Sequence, residues 1–195
     1  MTPIWIVVLA VALQAPSSGP PEAEDRFRSG KTWEQFLESA SAQRELWLKT
    51  NAAATAPIEF IERAKAASAG LQLLVVAEDW CPDSVYTVPY VASLARSSGI
   101  PLRILDRVTG EPLMLAHRTP DGRTATPTIV LWRNGRDAGA WVERPAELQR
   151  MFLSMSTNAE SAERFSHRHT WYESDRGRTA LREVLALIEQ TGEQK

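Results

Sequence analysis

Apolar residues recur along this chain in more than one rhythm, and each rhythm predicts an element. Thr32-Trp33-Glu34-Gln35 has the form of a capping box. Trp33, Phe36, Leu37, Ala40, Trp47 and Leu48 then follow at helical spacing, predicting one helix from about Trp33 to Lys49. Pro57 suits a first helical turn, with Ile58, Ile61 and Ala64 on a second helix that ends before Gly70. From Leu71 to Ala77 the rhythm vanishes, and nearly every residue is apolar, as in a strand buried on both faces. Val85, Val88, Val91, Ala92 and Ala95 predict a helix over Ser84 to Arg96, closed by Gly99. Leu102 to Leu105 reads as a short strand, and Pro112 opens a helical piece through His117. The strands Thr128 to Trp132 and Ala138 to Val142 flank Asn134-Gly135, a strong hairpin signal. Pro145 starts a helix with Leu148, Met151, Phe152 and Met155, and a last helix carries Leu181, Val184, Leu185 and Ile188 before Gly192. The order from Leu71 is β-α-β-α-β-β-α with helices added before and after. That is an α/β chain with a mixed central sheet flanked by helices.

Length and charge narrow the picture. At 195 residues the chain suits one domain, here 22–195 with a core at about 71–158. A net charge of −2 gives no reason to expect nucleic acid or an anionic membrane as partner. Ile4 to Leu13 is apolar and uncharged, but at ten residues it falls short of the about 20 that cross a bilayer. It fits the h-region of a secretory signal, with Ala15 as cleavage site and Pro16 to Pro21 as linker. Residues 1–21 are therefore expected to be signal and linker. The mature protein is then exported to periplasm or extracellular space, with no membrane span once the signal is gone. The alternative, a cytoplasmic chain, draws on the lack of any basic residue before Ile4.

Cys81 is the only cysteine, so no intramolecular disulfide can form and the core must hold the fold. Its setting points to chemistry. Glu78-Asp79-Trp80-Cys81-Pro82-Asp83-Ser84 joins the buried strand to its helix, and Cys81 stands at the helix start, where backbone N–H groups and the dipole favour an anion. Thiolate is the reactive form of cysteine, and such a position favours it. A partly exposed, activated thiol is expected. Pro82 supplies a fixed φ for the turn. Glu78 and Asp79 either oppose the thiolate through their charge or are solvated turn residues.

Trp80-Cys81-Pro82-Asp83-Ser84 resembles the Trp-Cys-x-x-Cys motif of the thioredoxin family, with serine in place of the second cysteine. Pro89 stands where thioredoxins carry a helix-kinking proline. Thr126-Pro127-Thr128 with Ile129-Val130-Leu131 resembles their cis-proline loop and next strand, and Trp132-Arg133-Asn134-Gly135 the hairpin after it. Glu-Asp-Trp-Cys is similar to a bacterial branch of thioredoxin-like proteins with extra N-terminal helices. The resemblance covers about Leu71 to Gln149 and implies a thioredoxin-like fold. It implies that Pro127 faces Cys81, and that the Thr126 backbone, Trp80 and Pro82 meet a substrate strand. Two positions depart from the pattern. Ser84 stands where a resolving cysteine would be, and Val75 where many thioredoxins bury an acid.

The resemblance thus implies a monothiol thiol-disulfide exchange protein. Cys81 attacks, Ser84 donates a hydrogen bond to its sulfur, and an external thiol such as glutathione completes the cycle, with no bound cofactor. The partner is a protein or small-molecule disulfide or thiol. The alternative is a non-catalytic thioredoxin-fold module that binds an extended peptide or protein beside Pro127. A monothiol glutaredoxin fits less well, since Trp80 precedes the cysteine and no Gly-Gly pair follows the proline-loop strand. A peroxiredoxin is disfavoured by Glu78, where threonine is expected. His167 and His169, two apart with no further ligand cluster, read as polar surface rather than metal ligands.

Overall fold

The computed structural model describes residues 21–155 and 161–193. Four helices come first: α1 (Pro21–Ser29), α2 (Trp33–Ser39), α3 (Arg44–Ala53) and α4 (Ile58–Ala66). Then follow β1 (Leu71–Val76), α5 (Pro82–Ser98), β2 (Leu102–Leu105), α6 (Glu111–Ala116), β3 (Thr128–Arg133) and β4 (Arg136–Val142). The chain closes with α7 (Ala146–Ser154), α8 (Ser161–Asp175) and α9 (Arg178–Glu193). The segment read as signal peptide, 1–20, lies outside the described residues. Pro21, expected to end the linker, is instead the first residue of α1.

The sheet order is β2-β1-β3-β4, with β1 parallel to β2 and the other pairs antiparallel. This explains the unbroken apolar run of β1. The strand is central, so Leu73 and Val75 face one layer of helices while Leu74 and Val76 face the other. On the first face they join residues of α2 to α5 and α9. On the second, Leu74 and Val76 meet Phe27 of α1, Leu105, Leu113 and Met114 of α6, and Val130. The hairpin between β3 and β4 turns at Asn134 and Gly135, both with positive φ, as a tight two-residue turn requires. A Cβ on Gly177, between α8 and α9, would lie 2.2 Å from the Tyr90 ring, so only glycine lets this turn pack there.

One long helix was expected from Trp33 to Lys49, and two short ones form. The capping box is present, with the Thr32 side chain accepting from the Gln35 backbone N–H and the Gln35 side chain accepting from Thr32. The helix stops at Ala40 because the next two backbone N–H groups, of Ser41 and Ala42, donate to the Asp79 carboxylate at 2.8 and 2.9 Å. A continuous helix would turn those donors inward. Gln43 adopts positive φ and Arg44 caps the freed carbonyls of Leu37, Glu38 and Ala40. Trp33, Phe36 and Trp47 still form one aromatic cluster, with Trp33 and Phe36 each within 6.1 Å of the Trp47 ring centroid. Trp33, Phe36, Ala40 and Trp47 of the expected stripe are buried, whereas Leu48 is exposed. α8 also was not foreseen, its mean character being polar.

Candidate functional site

β1 ends in the middle of the sheet, and Ala77 to Trp80 carry the chain from its C-terminal end to α5. Cys81 is the N-cap of α5, and its carbonyl accepts the Val85 N–H at 3.1 Å. Pro82 sits at the first helical position, where a missing N–H costs nothing. The Cys81 Sγ donates to the Thr126 carbonyl at 3.2 Å. The Thr126–Pro127 peptide bond is cis, and the Pro127 carbonyl accepts the Glu143 N–H at 2.8 Å. Cys81, Thr126 and Pro127, far apart in sequence, thus meet at one point. Trp80 projects beside them, about half exposed at 51%, with the Arg107 guanidinium 5.9 Å from its ring centre.

Two expectations about this point need correction. Cys81 is not partly open but buried, at 6% exposure. Ser84 does not donate to the sulfur: it is fully buried and its Oγ has no hydrogen-bond partner among the described residues. The sulfur's proton goes to the Thr126 carbonyl instead. Val75, where an acid was noted as missing, is packed in the apolar core.

The acidic residues flanking Cys81 are neither free turn residues nor directed at the thiol. Glu78 accepts the Arg107 N–H at 2.7 Å. The Asp79 carboxylate holds Ser41 and Ala42, while its carbonyl accepts the Trp47 indole N–H at 2.8 Å. The Trp80 carbonyl accepts from the Gln43 side chain at 2.6 Å. Burial works to raise the Asp79 pKa, but the N–H groups of Ala42 and Ser41 and the Ser41 hydroxyl outweigh it, and the carboxyl is held below its ordinary value. These contacts fasten the loop before Cys81 to α3 and to the break between α2 and α3.

On the other side lies a feature no motif announced. Asp83, in the first turn of α5, is 3% exposed. It accepts from the Tyr172 hydroxyl at 2.8 Å and from Arg144 Nη2 at 3.0 Å. The same nitrogen donates to Glu143 Oε1 at 2.5 Å, and Arg123 reaches Glu143 at 3.1 Å. Arg168 of α8 stands 3.9 Å from Asp83. Burial pushes the Asp83 pKa up and prevails over the opposing pull of Arg144, Arg168 and Tyr172. Burial and the Asp83 charge push the Tyr172 phenol well above its ordinary value. A carboxylate in a first helical turn is a common complement to the dipole, so sequence carried no signal that this one was buried. The two histidines separate: His167 lies on the exposed face near Glu163, and His169 meets the Tyr86 hydroxyl at 2.5 Å.

The arrangement offers one sulfur nucleophile at a helix start, a backbone carbonyl against it, and an exposed tryptophan at the rim. Among the described residues no group of three His, Cys, Asp or Glu side chains could hold a metal ion, and no helix is long and apolar enough to cross a membrane.

Comparison with known proteins agrees with this geometry. An HIV epitope-scaffold matches with a TM-score of 0.66 and 21% identity, over 86% of this chain and 97% of that one. A protein of unknown function from Pseudomonas aeruginosa matches with a TM-score of 0.65 and 21% identity, over 86% of this chain and 96% of that one. At such identity the likeness is one of fold. No curated protein matches the sequence significantly. A family model described as thioredoxin matches residues 30–163, more than half of the chain and including α2 to α4 before β1. With its mixed sheet and with Cys81 held against the Pro127 loop, the chain belongs to the thioredoxin family.

Proposed function

We propose that this protein performs monothiol thiol-disulfide exchange through Cys81. The observation that carries the reading is the meeting of Cys81 at the α5 N-terminus with the Thr126 carbonyl beside Pro127. In the first step the Cys81 thiolate attacks one sulfur of a substrate disulfide, forming Cys81–S–S–R and releasing the other half as a thiolate. In the second, an external thiolate such as glutathione attacks that mixed disulfide at the R sulfur and expels Cys81. Two thiol-disulfide exchanges leave the protein unchanged, and the external thiol ends up in the new disulfide. Ser84 cannot perform the second step, since a hydroxyl is barely ionised and forms no disulfide. Trp80 and the Thr126 backbone line the approach of the substrate.

Incubation with oxidised glutathione, followed by mass spectrometry, tests the first step. One glutathione adduct is expected on wild type and none on Cys81→Ser. Insulin reduction with dithiothreitol tests the second. Wild type is expected to fail as a thioredoxin-type reductase, because an external thiol lacks the effective molarity of an intramolecular one. Ser84→Cys is expected to close an 81–84 disulfide and gain turnover. Persistence of two free thiols in oxidised Ser84→Cys would overturn the reading.

The burial of Cys81, at 6% exposure beside a half-exposed Trp80, favours a second reading, a module that binds an extended peptide without chemistry. Lack of any adduct on wild type would select it. The export reading also stands as a proposal, and N-terminal sequencing of expressed protein tests it. A start just after Ala15 or a few residues later supports export, whereas an intact Met1 or Thr2 in the cytoplasmic fraction refutes it.

A further inference from the structure

The two halves of the site come from distant parts of the chain, and their direct link is one weak S–H donor on one carbonyl. A 3.2 Å contact of that kind cannot by itself set the separation of a helix start and a loop. The β1–β3 ladder joins the two halves as far as Val76 and Thr128, and beyond its end the side chain that reaches both is Arg144.

We propose that Arg144 is a positioning residue for Cys81, its Nη2 bridging the helix that carries the thiol to the segment that holds the Pro127 loop. On one side that nitrogen donates to Asp83, two residues after Cys81. On the other it donates to Glu143, whose backbone N–H holds the Pro127 carbonyl at 2.8 Å. The Asp83 and Glu143 side chains are buried, at 5% and 8% exposure, and that of Arg144 is mostly covered, at 11%. In so dry a place an ion pair broken at one end leaves a charge with no compensation, so the bridge resists any shift between the two segments. The guanidinium is also fixed in place, since it lies 4.6 Å from the centre of the Phe152 ring. Glu143 itself adopts a φ of 69°, uncommon for a residue with a side chain, so the segment is held where the bridge needs it. Arg123 on Glu143 and Arg168 near Asp83 extend the network outward, but each reaches only one of the two carboxylates.

The inference rests on Cys81 being the exchanging thiol, and its test separates the two claims. Arg144→Met, Arg144→Lys and the distant surface variant Arg63→Met are compared with wild type, all shown to be folded by circular dichroism. Two rates are measured on each: adduct formation at Cys81 by oxidised glutathione, and alkylation of Cys81 by iodoacetamide. Arg144→Met is expected to lose about tenfold in adduct formation, since small misplacements cost catalytic geometry dearly. Its alkylation is expected to rise, because the loop no longer covers the sulfur. Lysine is expected to restore both rates most of the way, since both contacts come from a single nitrogen that an ammonium can replace. Arg63→Met is expected to match wild type. If Arg144→Met does not fold, Glu143→Gln cuts one end of the same bridge and is expected to move both rates in the same directions. A folded Arg144→Met with both rates within about twofold of wild type overturns the proposal, as does a lysine variant no better than methionine. Should wild type form no adduct at all, the exchange reading falls, and the alkylation rates still decide whether Arg144 positions the sulfur.

Discussion

Asp79 and Asp83 stand two residues before and two residues after Cys81, and distant segments hold both in place. They are held in opposite ways. Asp79 lies nearer the surface and accepts from backbone N–H groups and a hydroxyl, all neutral donors, and its pKa is lowered. Asp83 is sealed in the interior with two arginines and a phenol, and its pKa is raised although cations surround it. Counting charged neighbours would rank these two residues wrongly. A few neutral donors at the edge of solvent stabilise an anion better than cations do once burial has removed its water. The site loop is thus held before Cys81 by hydrogen bonds that tolerate water, and after it by an ion network that does not.

The largest expected difference between the two flanks is in stability. Asp83→Ala strips Arg144 of one of its two carboxylates and takes the acceptor from the buried Tyr172 hydroxyl, and is expected to cost about 3 kcal/mol. Asp79→Ala removes the hydrogen bonds that hold Ser41 and Ala42 between α2 and α3 and is expected to cost about 1–2 kcal/mol. Urea unfolding at pH 7 measures both, and equal costs would erase the contrast between the flanks.

The pH dependence sharpens the comparison further, because the two carboxylates have opposite signs. The Asp79 pKa is depressed by folding, so its contribution is present above the ordinary value of about 3.9 and fades as pH falls through the folded value. The Asp83 pKa is raised by folding, so its contribution is greatest below about 3.9 and is lost as pH climbs through the raised value. On acidification, the stability gap between wild type and Asp79→Asn is expected to close. The gap between wild type and Asp83→Asn is expected to widen over the window above 3.9. Denaturant midpoints from pH 3 to pH 7 measure both gaps, and parallel curves would contradict the assignment.

The smallest effect is expected at Gln43. Its side chain donates to the Trp80 carbonyl at an exposed position, so Gln43→Ala is expected to cost about 0.5–1 kcal/mol. Greater proteolytic sensitivity near Trp80, with α5 unaffected, would fit a flank that opens locally. A loss as large as that of Asp83→Ala would mean that the first flank is as cooperative as the second.

What could be read from the residues follows from the range of the interactions. The β1 run, the α5 register, the hairpin at Asn134-Gly135 and the capping box at Thr32 each depend on neighbours a few positions away, and all are present in the structure. Cys81 is legible from its place at a helix start, Thr126 and Pro127 only through their resemblance to a family pattern, and the structure brings the thiol and that loop together. The division of α2 from α3 could not be read, because Asp79, the group that captures the Ser41 and Ala42 donors, lies more than thirty residues away. Asp83 escaped notice for the same reason, with its partners at Arg144 and Tyr172.

By itself the sequence determined the four strands and their order among most of the helices, that β1 is apolar on both faces, that there is one cysteine and that it starts a helix. Those properties reside in local sterics, in side-chain period and in the identity of single residues. Only the tertiary structure decided that the cysteine is covered, that Ser84 leaves it alone, and that Asp83 is a buried carboxyl held by Arg144 and Tyr172. Burial and charge pairing depend on which surfaces pack together, and no residue carries that information until the sheet and its helices have closed around it.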